Sequence, residues 1–313
     1  MSLVFRGFVI LALAGLSLAP PTTASMVRQS VSSAPQPGQA QSPTQLPNTK
    51  DSLKFGVLGD FGTGSARQYE LGRQMFKTYG AFPYELVVLV GDNLYGSDRP
   101  QDYRNKFELP YKSLLDKGVK FYASLGNHDS REQRNYKLFN MDGKLYYTLR
   151  APMQNVRFFF FESTYPDPDQ IAWLEKELKD STEDWKIPVF HHPLYSSGER
   201  HGSDTQLRDK LEPLFVKYGV SVVLTGHDHF YERTKPQKGI VYFVVGSGGQ
   251  LRAGNIDRRS GLTAAGNDTD NVFMVCEIVG DKMYFQAISR SGKIVDAGSF
   301  DRRKEDGKKE DAK

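Results

Sequence analysis

Leu86-Val87-Val88-Leu89-Val90-Gly91-Asp92-Asn93-Leu94-Tyr95 sets an unbroken apolar run against a glycine, a carboxylate and, three residues on, a phenol. The run shows no alternation of apolar and polar residues, which predicts a strand covered on both faces. Upstream, Leu53–Leu58 reads as a second strand ending at Gly59-Asp60-Phe61-Gly62, and residues 66–79 between them read as a helix. This is a β-α-β unit. The same grammar recurs downstream. Residues 119–124 lead to Gly126-Asn127-His128-Asp129, residues 187–190 to His191-His192-Pro193-Leu194-Tyr195, and residues 220–224 to Gly226-His227-Asp228-His229. Residues 156–161 form another apolar run, and helices are predicted over 169–178 and 204–218. Residues 240–245, Val272–Val279 and Lys282–Ser289 read as antiparallel strands joined by turns such as Gly280-Asp281. The expected fold class is α/β (α+β), with two packed mixed β-sheets flanked by helices. In open α/β sheets ligands bind beyond the carboxyl ends of the strands, where all five motifs fall.

Taken singly, each motif residue has an ordinary reading: Asp60 or Asp92 as a loop aspartate, Asn127 as a turn residue, Tyr95 as a packed aromatic. Together they predict a metal centre. Asp60 and Asp92 at adjacent strand ends bring like charges close, which is unfavourable unless a cation lies between them. His227 and His229 reach the same side if the backbone there is extended, and could then serve neighbouring metals; Gly226 permits the turn out of the strand. Four of the chain's six histidines lie in two such pairs, which argues against unrelated surface residues. Successive residues in extended chain point to opposite sides, so only one of His191 and His192 is expected to be a ligand. Asn127 offers an amide oxygen, with His128 beside it. Asp129 and Ser130 read as helix caps, Gln133 completing a capping box from Ser130.

Composition bounds the rest. The 313 residues suffice for one large core, and a net charge of +4 is too mild to imply nucleic-acid binding. Arg6 before the apolar run 7–19 and the small residues near 22–24 predict a cleavable export signal over residues 1–24. Residues 25–50, rich in Ser, Pro, Gln and Thr, are expected to be a flexible linker, residues 51–300 the catalytic domain, and 301–313 a charged flexible tail. The expected location is outside the cytoplasm (secreted, periplasmic or in a secretory lumen), with no stable membrane anchor. Cys276, the single cysteine, reads as a buried strand residue. Gly246-Ser247-Gly248-Gly249 is either a phosphate-approaching loop or a plain turn, and Asn267-Asp268-Thr269 is a glycosylation sequon. A kinase reading of Asp60-Phe61-Gly62 fails for want of a nucleotide-binding glycine loop or lysine pattern.

The five motifs in this order resemble those of the calcineurin-like metallophosphoesterases, and Tyr95 narrows the resemblance to the small purple acid phosphatases similar to tartrate-resistant acid phosphatase. The match runs from about Leu53 to about Ser289. By position the resemblance implies that Asp60, Tyr95 and His229 bind Fe(III) and that Asp92 bridges two metals. Asn127, His191 and His227 would hold a second, divalent ion (Fe, Zn or Mn), with His128 and His201 at the substrate phosphate as catalytic residues. A Val-x-x-His pattern selects His192 from Val189, whereas the His-x-Pro-x-Tyr register selects His191, which is taken as the ligand. A phenolate is a hard anionic donor suited to trivalent iron. The implied activity is hydrolysis of phosphate monoesters by a metal-bound hydroxide, acting on small phosphorylated substrates or phosphoproteins and not on nucleic acid. Alternatives are a phosphodiesterase or pyrophosphatase with the same metals, or a non-enzymatic secreted binding protein on the same scaffold.

Overall fold

The computed structural model describes residues 45–303; the expected signal and most of the expected linker and tail lie outside them. In chain order the first half comprises β1 (Leu53–Leu58), α1 (Ala66–Ala81), β2 (Leu86–Val90), α2 (Pro100–Tyr103), α3 (Lys112–Leu115), β3 (Lys120–Ser124), β4 (Tyr147–Arg150) and β5 (Val156–Phe160). Then come α4 (Pro168–Asp180), β6 (Trp185–Val189), α5 (Thr205–Lys217), β7 (Val222–Thr225), β8 (Tyr231–Thr234) and β9 (Val241–Val245). The final strands are β10 (Thr263–Asn267), β11 (Val272–Val279), β12 (Lys282–Ser289) and β13 (Ile294–Asp301). The three long helices start where a short polar side chain can accept from the first turn. Ser65 caps α1, Asp167 caps α4 ahead of Pro168, and Asp204 caps α5.

The strands form two mixed sheets, ordered β13-β12-β11-β1-β2-β3 and β10-β8-β9-β7-β6-β5-β4. β1, β2 and β3 run parallel, as do β5, β6, β7 and β9, so each sheet directs its motif-bearing strand ends to one rim. The period-2 geometry of a strand explains the layering. In β5, Phe158 and Phe160 face the core between the sheets, while Phe159 packs with Leu174, Leu178, Leu211 and Phe215 of the helices outside. Across the inner layer Phe55 meets Phe158 edge to face at 5.2 Å, and Phe243 meets Phe285 at 5.0 Å. Such contacts add about 1 kcal/mol each beyond the area they bury.

Several expectations need correction. β9 pairs parallel with β7 and antiparallel with β8, and lies in the other sheet from β11 and β12. β4, β8, β10 and β13 are additional strands; β4, β10 and β13 are edges, β10 and β13 carry no clean alternation, and β4 alternates over only four residues, Tyr147–Arg150. The end of the expected linker is held: the Asn48 and Thr49 amides donate to the buried Glu277 carboxylate at 2.6 and 2.8 Å. So is the start of the expected tail, where Arg303 N donates to Ser221 Oγ at 2.8 Å. No helix among the described residues is long and apolar enough to cross a membrane.

Candidate metal centre

Five loops leave the carboxyl ends of β1, β2, β3, β6 and β7 and meet at one rim. Three donor residues are held in left-handed backbone, Asp60 (φ 54), Asp92 (φ 52) and His227 (φ 71). Strain of this kind in non-glycine residues clusters at functional sites. The extended backbone expected between His227 and His229 is therefore not what is found. A bend at His227, with Asp228 N donating to Gly226 O at 2.9 Å, turns the two imidazoles inward instead. Glycine is required where the loops close in. A Cβ on Gly126 would fall 2.2 Å from Asp92 Oδ1, and one on Gly226 2.5 Å from Asp60 Oδ2.

The donors form two groups that share Asp92. Tyr95 Oη lies 2.9 Å from Asp92 Oδ2 and 3.2 Å from both Asp60 Oδ1 and His229 Nε2. His191 Nε2 lies 3.4 Å from the other oxygen, Asp92 Oδ1, 3.1 Å from Asn127 Oδ1 and 3.2 Å from His227 Nδ1. These spacings match the separation of about 3 Å expected for neighbouring donors around an ion with bonds near 2.1 Å. His191 Nδ1 is 3.0 Å from the Val90 carbonyl, an acceptor, so Nδ1 carries a proton and Nε2, once deprotonated, turns its lone pair to the centre. His192 points elsewhere: its Nδ1 pairs with Ser163 Oγ at 2.9 Å, and its ring packs against that of His227.

The electrostatics describe a site that calls for cations. Burial, with the Asp92 charge, raises Asp60 well above the carboxylate range. Burial also pushes the Tyr95 phenol far up, aided by Asp60 and Asp92. Burial opposes charge on His191, yet Asp92 and Asp60 lift it to about 10, so in the absence of a metal a proton supplies the positive charge. Burial and the His191 charge lower His227 to about 2, and burial and Arg252 lower His229 to about 4, leaving both neutral and able to ligate. A sign follows for metal uptake. His191, protonated across pH 6–8 in the metal-free protein, must lose its proton to ligate, so apparent Zn(II) affinity should rise by up to about tenfold per pH unit. Calorimetry at pH 6 and pH 8 in buffers of differing ionisation enthalpy checks it; a pH-independent affinity with no proton released refutes it.

Some residues around the centre were not foreseen. Asp129 caps no helix: its carboxylate accepts from the amides of Asn93, Leu94 and Gly126 at 2.8–3.0 Å and so holds the loop that carries Asp92 and Tyr95. Ser130 alone caps the short 3-10 helix Arg131–Asn135. In one sequence, an aspartate after a turn looks the same whether it caps or braces. Asp228, between the two histidines, accepts from Ser196 Oγ at 2.5 Å and anchors the neighbouring loop. His128 and His201 are exposed at the mouth, His201 with its ring 4.3 Å from that of His227. Arg200 and Arg252 line the same cleft, of about 90 Å3.

A double-sheet sandwich with two donor groups sharing one carboxylate at its rim is the scaffold of a metal-dependent phosphoesterase. Residues 53–231 match the family model of the calcineurin-like phosphoesterases, and the chain belongs to that family. It is 27% identical over 250 residues to tartrate-resistant acid phosphatase type 5 of Oryctolagus cuniculus, covering 67% of this chain and 77% of that protein. It is also 27% identical over 257 residues to purple acid phosphatase 17 of Arabidopsis thaliana, covering 70% and 75%. Among solved structures, a purple acid phosphatase from yellow lupin (Lupinus luteus) seeds superposes with a TM-score of 0.67 at 18% identity, covering 82% of this chain and 55% of that one.

Proposed function

We propose that this phosphoester hydrolase is an acid phosphatase acting on phosphate monoesters, with Fe(III) and a divalent ion in the two donor groups. The observation that carries the reading is Asp92, whose two oxygens each serve a different group. Asp60, Tyr95 and His229 would hold the trivalent ion with Asp92, and Asn127, His191 and His227 the divalent one. Bound there, the ions supply Lewis acidity at the phosphoryl oxygens. The chain's own residues do the rest. His128 and His201 face the mouth, where a protonated imidazole hydrogen-bonds a phosphoryl oxygen or gives its proton to the departing alkoxide. Burial, followed by Arg252 and Arg200, lowers His201 below the usual histidine range, so that role requires acidic pH. The relatives' names, acid phosphatases, support the same reading. Small phosphorylated compounds or phosphoproteins reaching the protein outside the cytoplasm are the substrates this reading supplies.

The visible spectrum of the purified protein, with metal analysis, tests the iron assignment. A phenolate–Fe(III) charge-transfer band should be present and should vanish in Tyr95→Phe. An active but colourless, iron-free protein would leave the phosphoesterase and remove the iron. Relative rates on p-nitrophenyl phosphate and its bis-ester separate the monoesterase from the diesterase.

A further inference from the structure

A cavity of about 710 Å3 lies at the end of the first sheet opposite the metal centre. It sits beneath the starts of β1, β2 and β3, where Lys54, Leu86 and Lys120 reach it. β2 runs from this cavity at Leu86 to the rim at Val90, so about 13 Å of strand separates the two. A hollow of this size holds a small molecule.

Its lining is unevenly charged. Lys50, Lys54, Lys117, Lys120 and Arg150 line it, and Glu85 is the one carboxylate among the lining residues. Arg150 Nε is bound to Glu183 at 2.8 Å, and Lys54 Nζ donates to the carbonyl of Thr49, which is neutral. Asp116, next to Lys117, is engaged by Lys112 at 2.7 Å. Lys50, Lys117 and Lys120 are exposed and make no ion pair or side-chain hydrogen bond among the described residues. Five cations against Glu85 and Glu183 leave an excess of three positive charges.

The backbone sets these ammoniums around the hollow. Gly118, in left-handed backbone (φ 81), follows α3 and turns the chain into β3, so Lys117 and Lys120 flank the bend. Lys50 follows Thr49, whose amide is held by the Glu277 carboxylate at 2.8 Å. The period of two along β3 puts Tyr122 on the same face as Lys120. Beside the charges stands an apolar wall: Tyr84 is buried, Tyr79 meets it edge to face at 5.6 Å, and Tyr122 and Leu149 are half-buried. Low-dielectric walls beside charges of one sign focus the field into a cleft and concentrate anions there.

The charge chemistry selects the anion. The unpaired cations are ammoniums from separate segments of chain, with no free guanidinium fork to match a single planar carboxylate. Point charges of this kind suit the spread oxygens of phosphates. A phosphate monoester carries about −1.5 to −2 near pH 7, so two phosphates balance the excess.

We propose that this cavity binds a small organic polyphosphate, with its phosphates among Lys50, Lys117 and Lys120 and its ring against Tyr79 and Tyr122. Binding there needs neither the metals nor the reaction at the rim.

The test uses the full chain dialysed free of metal, with the imido analogue of ATP, tripolyphosphate and adenosine as calorimetric probes. The imido analogue should bind one per chain, tripolyphosphate several-fold more weakly for want of a ring, and adenosine more weakly still. Lys117→Ala/Lys120→Ala should weaken the imido analogue by at least about tenfold through lost charge-assisted hydrogen bonds. Lys179→Ala/Lys210→Ala, which removes the same charge from exposed positions on α4 and α5, should leave its affinity unchanged. In the wild type, the bound analogue should shield Lys50, Lys117 and Lys120 from acetylation, read by mass spectrometry, and leave Lys179 reactive. Absence of binding, equal loss in both double variants, or loss in neither overturns the site. Turnover of p-nitrophenyl phosphate by the metal-loaded Lys117→Ala/Lys120→Ala variant should match the wild type, and failure of the phosphatase reading would leave the calorimetry to decide alone.

Discussion

Asp92→Asn is expected to lower kcat/KM on p-nitrophenyl phosphate by at least about a thousandfold, because partners one shell further out already cost 10–100-fold when removed. The side chain presents Oδ2 to Tyr95 and Oδ1 to His191, and each group of donors depends on it. An amide has one oxygen to offer, and its NH2 would face the lone pair of either His191 Nε2 or a neighbouring donor. His191 would also lose the partner that most sustains its charge. Metal analysis should therefore show fewer than two ions per chain, while far-UV circular dichroism still reports a folded chain. Full occupancy with wild-type turnover would contradict the shared-ligand assignment.

Asp296→Ala should destabilise the fold by about 3 kcal/mol, the cost of stripping one partner from a largely buried ion pair. Asp296 lies on β13 of the first sheet, and its oxygens accept from Arg233 Nε at 2.8 Å, Arg233 Nη2 at 3.1 Å and Tyr231 Oη at 2.8 Å on β8 of the second. Removing it leaves a guanidinium and a buried phenol unanswered between the sheets. The urea midpoint should fall at constant slope. A loss below about 1 kcal/mol would mean that water replaces the carboxylate at no cost.

The strand ends that meet at the rim were more legible in the sequence than the outer parts of the fold, for a physical reason. A buried parallel strand such as Leu86–Val90 must be apolar on both faces, so its end and the residues just past it stand out. β10, Thr263–Asn267, is an edge with little to bury, and its composition does not differ from a loop's. At the centre the residue types were readable and their conformations were not. The left-handed turn at His227 leaves no mark beyond its preceding glycine. Arg200 and Arg252 were invisible because their meeting depends on two loops fifty residues apart in sequence being tied through Glu199 and Asn255.

The two sheets supply different halves of the donor set. Asp60, Asp92, Tyr95 and Asn127 follow strands of one sheet, and His191, His227 and His229 follow strands of the other. The centre consequently works as a gauge of how the layers are aligned. A void opened far away, as by Phe55→Ala at its contact with Phe158, shifts one layer against its neighbour. That displacement would be read at the rim as a change in metal affinity before any strand unravels.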